Sequence, residues 1–145
     1  MEIKRLTDEN KEYAVLFEKV RTPAMKPDKL KRFLEDSNTV CYFAVDKQMV
    51  IGLAWGYALK RFDNNDMLYI HSVDVVKEYR NKGVGKALIE AFISYQKEHQ
   101  MRNTFLITDE GNIPANKLYQ KFSHELETNK NLYIFKWKEG KYDWV

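Results

Sequence analysis

The segment Arg80-Asn81-Lys82-Gly83-Val84-Gly85-Lys86 sets basic residues and two glycines immediately ahead of an apolar helical pattern. A helix N-terminus presents backbone N–H groups that lack intrahelical acceptors and carries a partial positive charge, and glycine lets an anion come close to that backbone. The chemistry this suits is the binding of a phosphate or pyrophosphate. Spacing excludes two familiar nucleotide loops. Counted back from Gly85-Lys86, the first glycine of a P-loop falls on Arg80 and its hydroxyl residue on Ala87. The third glycine of a Gly-x-Gly-x-x-Gly dinucleotide turn falls on Leu88. The bland alternative is a solvated turn whose glycines serve packing alone.

Other reactive side chains are sparse. His71, His99 and His124 have no metal-ligand spacing, so no metal is expected. Cys41 is the only cysteine; it cannot form an internal disulfide, and within an apolar strand it reads as a small buried hydrophobe. Asp109 and Glu110 follow an apolar run and either face a ligand or stay solvated in a loop.

The elements that position these residues follow from periodicity. Glu2–Leu6 alternates as a first strand, with Thr7 or Asp8 capping what comes next. Tyr13, Leu16, Phe17 and Val20 recur at helical spacing, Pro23 and Pro27 interrupt, and Asp28–Asp36 resumes a helix. Thr39–Asp46 and Met49–Leu59 are strand-like runs separated by Lys47-Gln48, the mark of a hairpin, and Leu68–Val76 is a further strand. Gly83 to about His99 is a long amphipathic helix, Asn103–Thr108 a buried strand, Pro114–Phe122 a helix with proline in its first turn, and Leu132–Trp137 a last strand. An additional strand near His124–Thr128 is allowed. The order is that of one layered α/β (α+β) domain spanning 1–145, with no internal repeat.

At 145 residues the chain can bury a core without disulfides or metal. It has no apolar run near the roughly 18 residues of a membrane span, and its charged start is unlike a secretory leader, so a cytoplasmic setting away from membranes is expected. A net charge of +3, with 24 basic residues interleaved with 21 acidic ones, argues against nucleic acid.

The strand Tyr69–Val76, followed by Arg80-x-x-Gly83-x-Gly85 and then a helix, resembles the acetyl-CoA signature of the GCN5-related N-acetyltransferases. A second block, Asn112, Ala115, Leu118, Tyr119 and Lys121, resembles that family's Asn-x-x-Ala-x-x-Leu-Tyr-x-Lys. The resemblance implies a strongly twisted mixed sheet of six to seven strands, splayed between the fourth and fifth, with about four helices on both faces. It implies that the backbone of Val73, Asp74 and Val75 holds the pantetheine arm of acetyl-CoA, and that Arg80, Asn81, Lys82, Gly83, Val84, Gly85 and Lys86 seat the pyrophosphate, with Asn112, Ala115 and Tyr119 completing the coenzyme site. Tyr119 matches the tyrosine that protonates the departing sulfur. His71 lies where some members place a histidine facing the acetyl group; imidazole exchanges protons near neutrality, which suits a base. Asp109 is a further catalytic candidate. The acceptor side is expected from Phe17, Arg21, Met25, Trp55, Tyr57 and Glu110.

Asp109 to Ala115 with Leu118-Tyr119 also resembles the aminoglycoside 3-N-acetyltransferase branch, although Ser72 stands where that branch often has aspartate. Ser123 replaces the glycine that usually closes the family's helix, and His124 a core phenylalanine. The expected function is direct transfer of acetyl from acetyl-CoA to a primary amine of a small cationic acceptor, a preference drawn from Asp63, Asp66, Asp109 and Glu110. Protein N-termini or lysines are the alternative acceptors, and a non-catalytic acyl-CoA-binding module is the alternative class. The apolar Asn131–Trp137 segment allows a homodimer.

Overall fold

The computed structural model describes residues 1–14, 27–138 and 141–142. It divides into two units, Met1–Asn112 and Ile113–Val145.

The first unit is built on a five-stranded sheet in the order β1-β2-β3-β4-β5: β1 Glu2–Arg5, β2 Thr39–Asp46, β3 Met49–Leu59, β4 Met67–Val75 and β5 Asn103–Leu106. β1 to β4 are antiparallel neighbours, and β5 joins β4 in parallel after a helical crossover. The Lys47-Gln48 hairpin forms as its spacing predicts. Both residues take positive φ, 48° and 66°, the left-handed pair that matches strand twist in a two-residue turn. At the first bend Asn10 accepts the Thr7 N–H at 2.8 Å and donates to the Arg5 carbonyl at 2.9 Å, so the short 3₁₀ turn Asp8–Asn10 closes on the end of β1. Residues 12–14 are helical, and the rest of that expected helix lies outside the described residues.

Helices cover both faces. α1, Pro27–Glu35, sets Leu30 against Cys41, Phe43 and Leu53 with Phe33 and Leu34 beside them. α2, Val84–Glu98, buries Val84, Leu88, Phe92 and Tyr95 against Val40, Ala44, Ala54, Leu68 and Ile70 on the opposite face. Alternation along β2 assigns each residue to its core: Cys41 and Phe43 to one, Val40 and Ala44 to the other. Burial pushes the Cys41 thiol up to about 12, so at neutral pH it stays a protonated apolar filler, as its setting predicts.

The second unit holds α3, Ile113–Gln120, with Pro114 in its first turn, and a small ribbon of β6 Trp137–Lys138 and β7 Lys141–Tyr142. Residues 121–136 contain no strand, so neither the Leu132–Trp137 strand nor one near His124–Thr128 forms as predicted; among the described residues there are seven strands, five in the main sheet and two in the ribbon. Strand propensity is a fit to a paired, half-buried surface. Leu132, Tyr133, Ile134 and Phe135 carry the strand-like composition while standing 66–75% exposed. Among the described residues, no helix is long and apolar enough to cross a membrane.

Candidate functional site

The site is prepared by two departures from regularity in β4. The first is a bulge. Trp55 pairs with Ser72 and Gly56 with Ile70, so His71 is the extra residue. The consequence is a change of parity: Leu68 and Ile70 face the α2 core before the bulge, and Val73 and Val75 face it after. Tyr69 and His71 are thereby presented on the other face, with Ser72 and Asp74 standing opposite Trp55 and Leu53. The Ser72 hydroxyl donates to Asp74 at 2.8 Å.

The second departure is a split. The parallel ladder from β4 to β5 ends at Ile70 opposite Leu106, yet β4 runs on to Val75. Residues 72–75 are paired with β3 on one side, and among the described residues no strand pairs their other edge. Such an edge offers a row of backbone donors and acceptors to an extended ligand. This is the separation expected between the fourth and fifth strands, and Val73, Asp74 and Val75 line it.

The anion seat follows at the end of β4. Its chain descends through a 3₁₀ turn, Lys77–Tyr79, and Arg80 reaches back to donate Nε–H to the Val75 carbonyl at 3.1 Å. That bond ties the loop to the strand and uses one of five guanidinium donors. Asn81 (φ 61°) and Gly83 (φ 85°) are both left-handed, and Gly83 is the N-cap of α2. A glycine brings no capping side chain, and no side chain caps α2. The first intrahelical bond is Ala87 N–H to the Gly83 carbonyl at 3.0 Å, which leaves Val84, Gly85 and Lys86 as the N–H groups ahead of the ladder. A side chain at Gly83 would meet nothing within 4 Å, so the seat opens outward. Lys82 lies over the Tyr79 ring at 5.5 Å, and the exposed Lys86 is 3.9 Å from Glu90.

Gly52 and Gly56, both inside the β3 run and not among the expected site residues, hold this geometry. A Cβ at Gly52 would lie 2.9 Å from Val84 Cγ1 and 3.2 Å from the Asp74 carbonyl, so its absence lets the start of α2 pack onto the end of β4. A Cβ at Gly56 would fall onto the Tyr69 carbonyl oxygen, 2.8 Å from the Tyr69 carbonyl carbon and 3.0 Å from Ile70 Cα. Gly56 is thus the residue that permits the bulge. The signal available in sequence was a glycine inside a strand-like run, which marks close backbone approach.

His71 is exposed at its edge but ringed by aromatics. Its ring lies 4.4 Å from Trp55 at 30°, 5.7 Å from Tyr69 at 90° and 6.5 Å from Tyr57 at 75°. Trp55 and Tyr57 from β3 thus lie beside His71 from β4. Asp109 and Glu110 are exposed beyond β5, where the Asp109 carbonyl accepts the Asn112 N–H at 3.0 Å. Asp63 and Asp66 are occupied in the β3–β4 turn. Asp63 accepts Asn65 N–H at 3.1 Å and Arg61 at 2.6 Å, contacts that hold its carboxyl below the usual range, the Asn65 N–H foremost; Asp66 accepts the Arg61 N–H at 3.0 Å. Phe17, Arg21 and Met25 lie outside the described residues. Among the described residues no group of three His, Cys, Asp or Glu could hold a metal ion.

In the second unit, α3 carries Ala115 and the half-buried Tyr119. The Tyr119 carbonyl accepts N–H groups from Phe122 at 3.1 Å and Ser123 at 3.0 Å. Ser123 is not among the residues with positive φ, so this helix ends without the left-handed residue that the family's glycine suggested.

The profile of the acetyltransferase (GNAT) family matches residues 4–124. The chain belongs to this family. Its fold is found in an aminoglycoside acetyltransferase from an uncultured soil metagenomic sample, crystallised with trehalose: 23% identity, TM-score 0.78, covering 93% of this chain and 96% of that one. An aminoglycoside N-acetyltransferase in complex with CoA gives 20% identity and a TM-score of 0.77 over 93% of both chains. A ribosomal-protein-alanine N-acetyltransferase from Brucella melitensis gives 18% identity and 0.74, over 94% and 99%. At these identities the likeness establishes a shared fold. No curated protein matches the sequence.

Proposed function

We propose that the protein is an acetyl-CoA-dependent N-acetyltransferase that passes acetyl directly to a primary amine. The observation that carries this reading is the left-handed start of α2, whose glycine N-cap brings no capping side chain, beside the stretch of β4 beyond Ile70 that no strand among the described residues joins on that side. An anion seat adjoining a strand-like edge suits a ligand with a pyrophosphate and a long amide-bearing arm. The family profile runs from residue 4 to 124, across both units, which supports a single acetyltransferase domain.

In this reading the N–H groups of Val84, Gly85 and Lys86 hold the pyrophosphate, with Arg80 and Lys82 adding charge, and residues 73–75 bond the arm as an added strand would. The amine nitrogen attacks the thioester carbonyl carbon. A C–N bond forms and the C–S bond breaks; His71 would take the proton the amine loses, and the thiolate gains one in return, the role that the family motif around Tyr119 implies for its hydroxyl. Solvent restores both groups. His71 suits its role because the bulge turns it out of the sheet, and Asp109 is a second proton acceptor at the end of the β5 loop. Asn112 and Ala115 would support the coenzyme from the motif around Tyr119.

The roles of the two groups separate in a variant test. Tyr119→Phe keeps ring volume and removes the proton. The expected result is a loss of about 10²-fold in kcat with acetyl-CoA affinity within twofold of wild type by calorimetry. Unchanged turnover would remove Tyr119 from the mechanism, and intact binding with no turnover by wild type on any amine would favour a non-catalytic acyl-CoA module.

A further inference from the structure

We propose that Phe105, stacked on Tyr69, closes the inner end of the split between β4 and β5 and so limits the donor to a short acyl group, admitting acetyl and excluding butyryl and longer chains; this rests on the coenzyme placement proposed above.

A bound arm has a direction. The anion seat lies past the end of β4, at the start of α2, so an arm laid along the free edge meets Val75 first and Ser72 last. Its thioester end then points toward Ile70, where β5 rejoins β4. From there inward the edge is taken, because Met67–Ile70 pair in parallel with Asn103–Leu106. An acyl chain that outgrows the split cannot continue as a strand would. It must turn toward one face of the sheet.

Both faces are closed at that point. On the α2 side Ile70 is 2% exposed, and Leu106, its partner on β5, packs against the same core. On the other side the Tyr69 and Phe105 rings stack at 5.0 Å and 26°, and His71 stands edge-on to Tyr69 at 5.7 Å. Tyr69 and Phe105 are also direct partners across the ladder, one step before its last pair, so their stack bridges the two strands just before they part. Rings at that separation are in contact and leave no space for a methylene between them. Ile107, the first residue past the ladder, is 62% exposed. Apolar surface is therefore open where the strands part and closed where they meet.

Within this closure Phe105 is the residue whose ring can be removed with least disturbance. It is half-buried, whereas Ile70 belongs to the core and Tyr69 carries the contact to His71. An alanine there leaves a recess beside Tyr69 into which a longer chain can turn.

Calorimetry with CoA, acetyl-CoA and butyryl-CoA tests this without an acceptor amine. Wild type is expected to bind acetyl-CoA at least about thirtyfold more tightly than butyryl-CoA, roughly 2 kcal/mol, the scale on which a closed apolar pocket rejects added methylenes. Phe105→Ala is expected to bring the two within about threefold of each other by gaining affinity for butyryl-CoA, with its acetyl-CoA affinity kept. Phe105→Leu, a milder truncation, should fall between, and Phe105→Tyr should keep the wild-type preference. Equal binding of both thioesters by wild type would overturn the proposal and leave the coenzyme site standing. A Phe105→Ala or Phe105→Leu protein that keeps acetyl-CoA affinity and full discrimination would overturn the part given to Phe105. No binding of CoA or of either thioester would overturn the coenzyme placement and this proposal together.

Discussion

Gly85→Glu is expected to weaken acetyl-CoA binding by at least about a hundredfold, or roughly 2.8 kcal/mol, without loss of folding stability. Gly85 is the second residue of α2, after the Gly83 cap. A glutamate there is favourable for the helix itself: it removes the conformational freedom of a helical glycine, about 0.5–1 kcal/mol, and sets a carboxylate in the first turn, where the dipole contributes about 0.3–1 kcal/mol more. The same carboxylate stands where the pyrophosphate would rest. Two unit charges about 4 Å apart repel by about 4 kcal/mol near a protein surface. Calorimetry against acetyl-CoA, paired with a urea unfolding curve, reads the two effects apart. Retained affinity would show that the phosphates lie elsewhere.

Gly56→Ala is expected to act in the opposite way, on the fold rather than on the ligand. Its added methyl would strike the Tyr69 carbonyl and approach Ile70 Cα at 3.0 Å, and these are backbone atoms that cannot swing aside. Relief requires β3 and β4 to part at the bulge. Overpacking of this kind costs about 3 kcal/mol or more, a large share of the stability of a small domain. The urea midpoint should fall accordingly, and acetyl transfer should fall with it because the bulge turns His71 out of the sheet. A stability loss under about 1 kcal/mol, with turnover intact, would mean the bulge is not what presents His71.

Most of the scaffold was legible in the chain. The hairpin at Lys47-Gln48, the helix from Gly83 to His99 and the buried β2 to β4 rest on periodicities that the tertiary structure reinforces. The bulge at His71 was not legible, because the β4 sequence reads as a continuous strand and the deviation arises from pairing with β3 through Gly56. For the same reason the parity change that puts Ser72 and Asp74 on the His71 face had no signal in one strand alone. The run Leu132–Phe135 misled in the other direction: its composition suits a strand, but a strand exists only where a neighbour accepts its hydrogen bonds.

The acidic residues illustrate a related limit. Asp63 and Asp66 looked like attractors for a cationic acceptor, and both serve the turn from β3 to β4. An aspartate in a polar loop closes its own turn by accepting the backbone N–H two residues on, as Asp63 does from Asn65. Aromatic residues in β3 and β4 were visible as strand formers, and only the register gathers them around His71.

On the function proposed above, the left-handed start of α2 and the β4 edge that no described strand joins together hold an acyl-CoA whose acetyl group moves to an amine. This is tested most directly by incubating the wild-type protein with acetyl-CoA and a panel of primary amines while following free thiol and acetylated product together. Amine-dependent thiol release matched one for one by N-acetyl product is expected, with Gly85→Glu inactive under the same conditions. Thermal stabilisation by ATP or NAD but not by acetyl-CoA, with no thiol released on any amine, would contradict it.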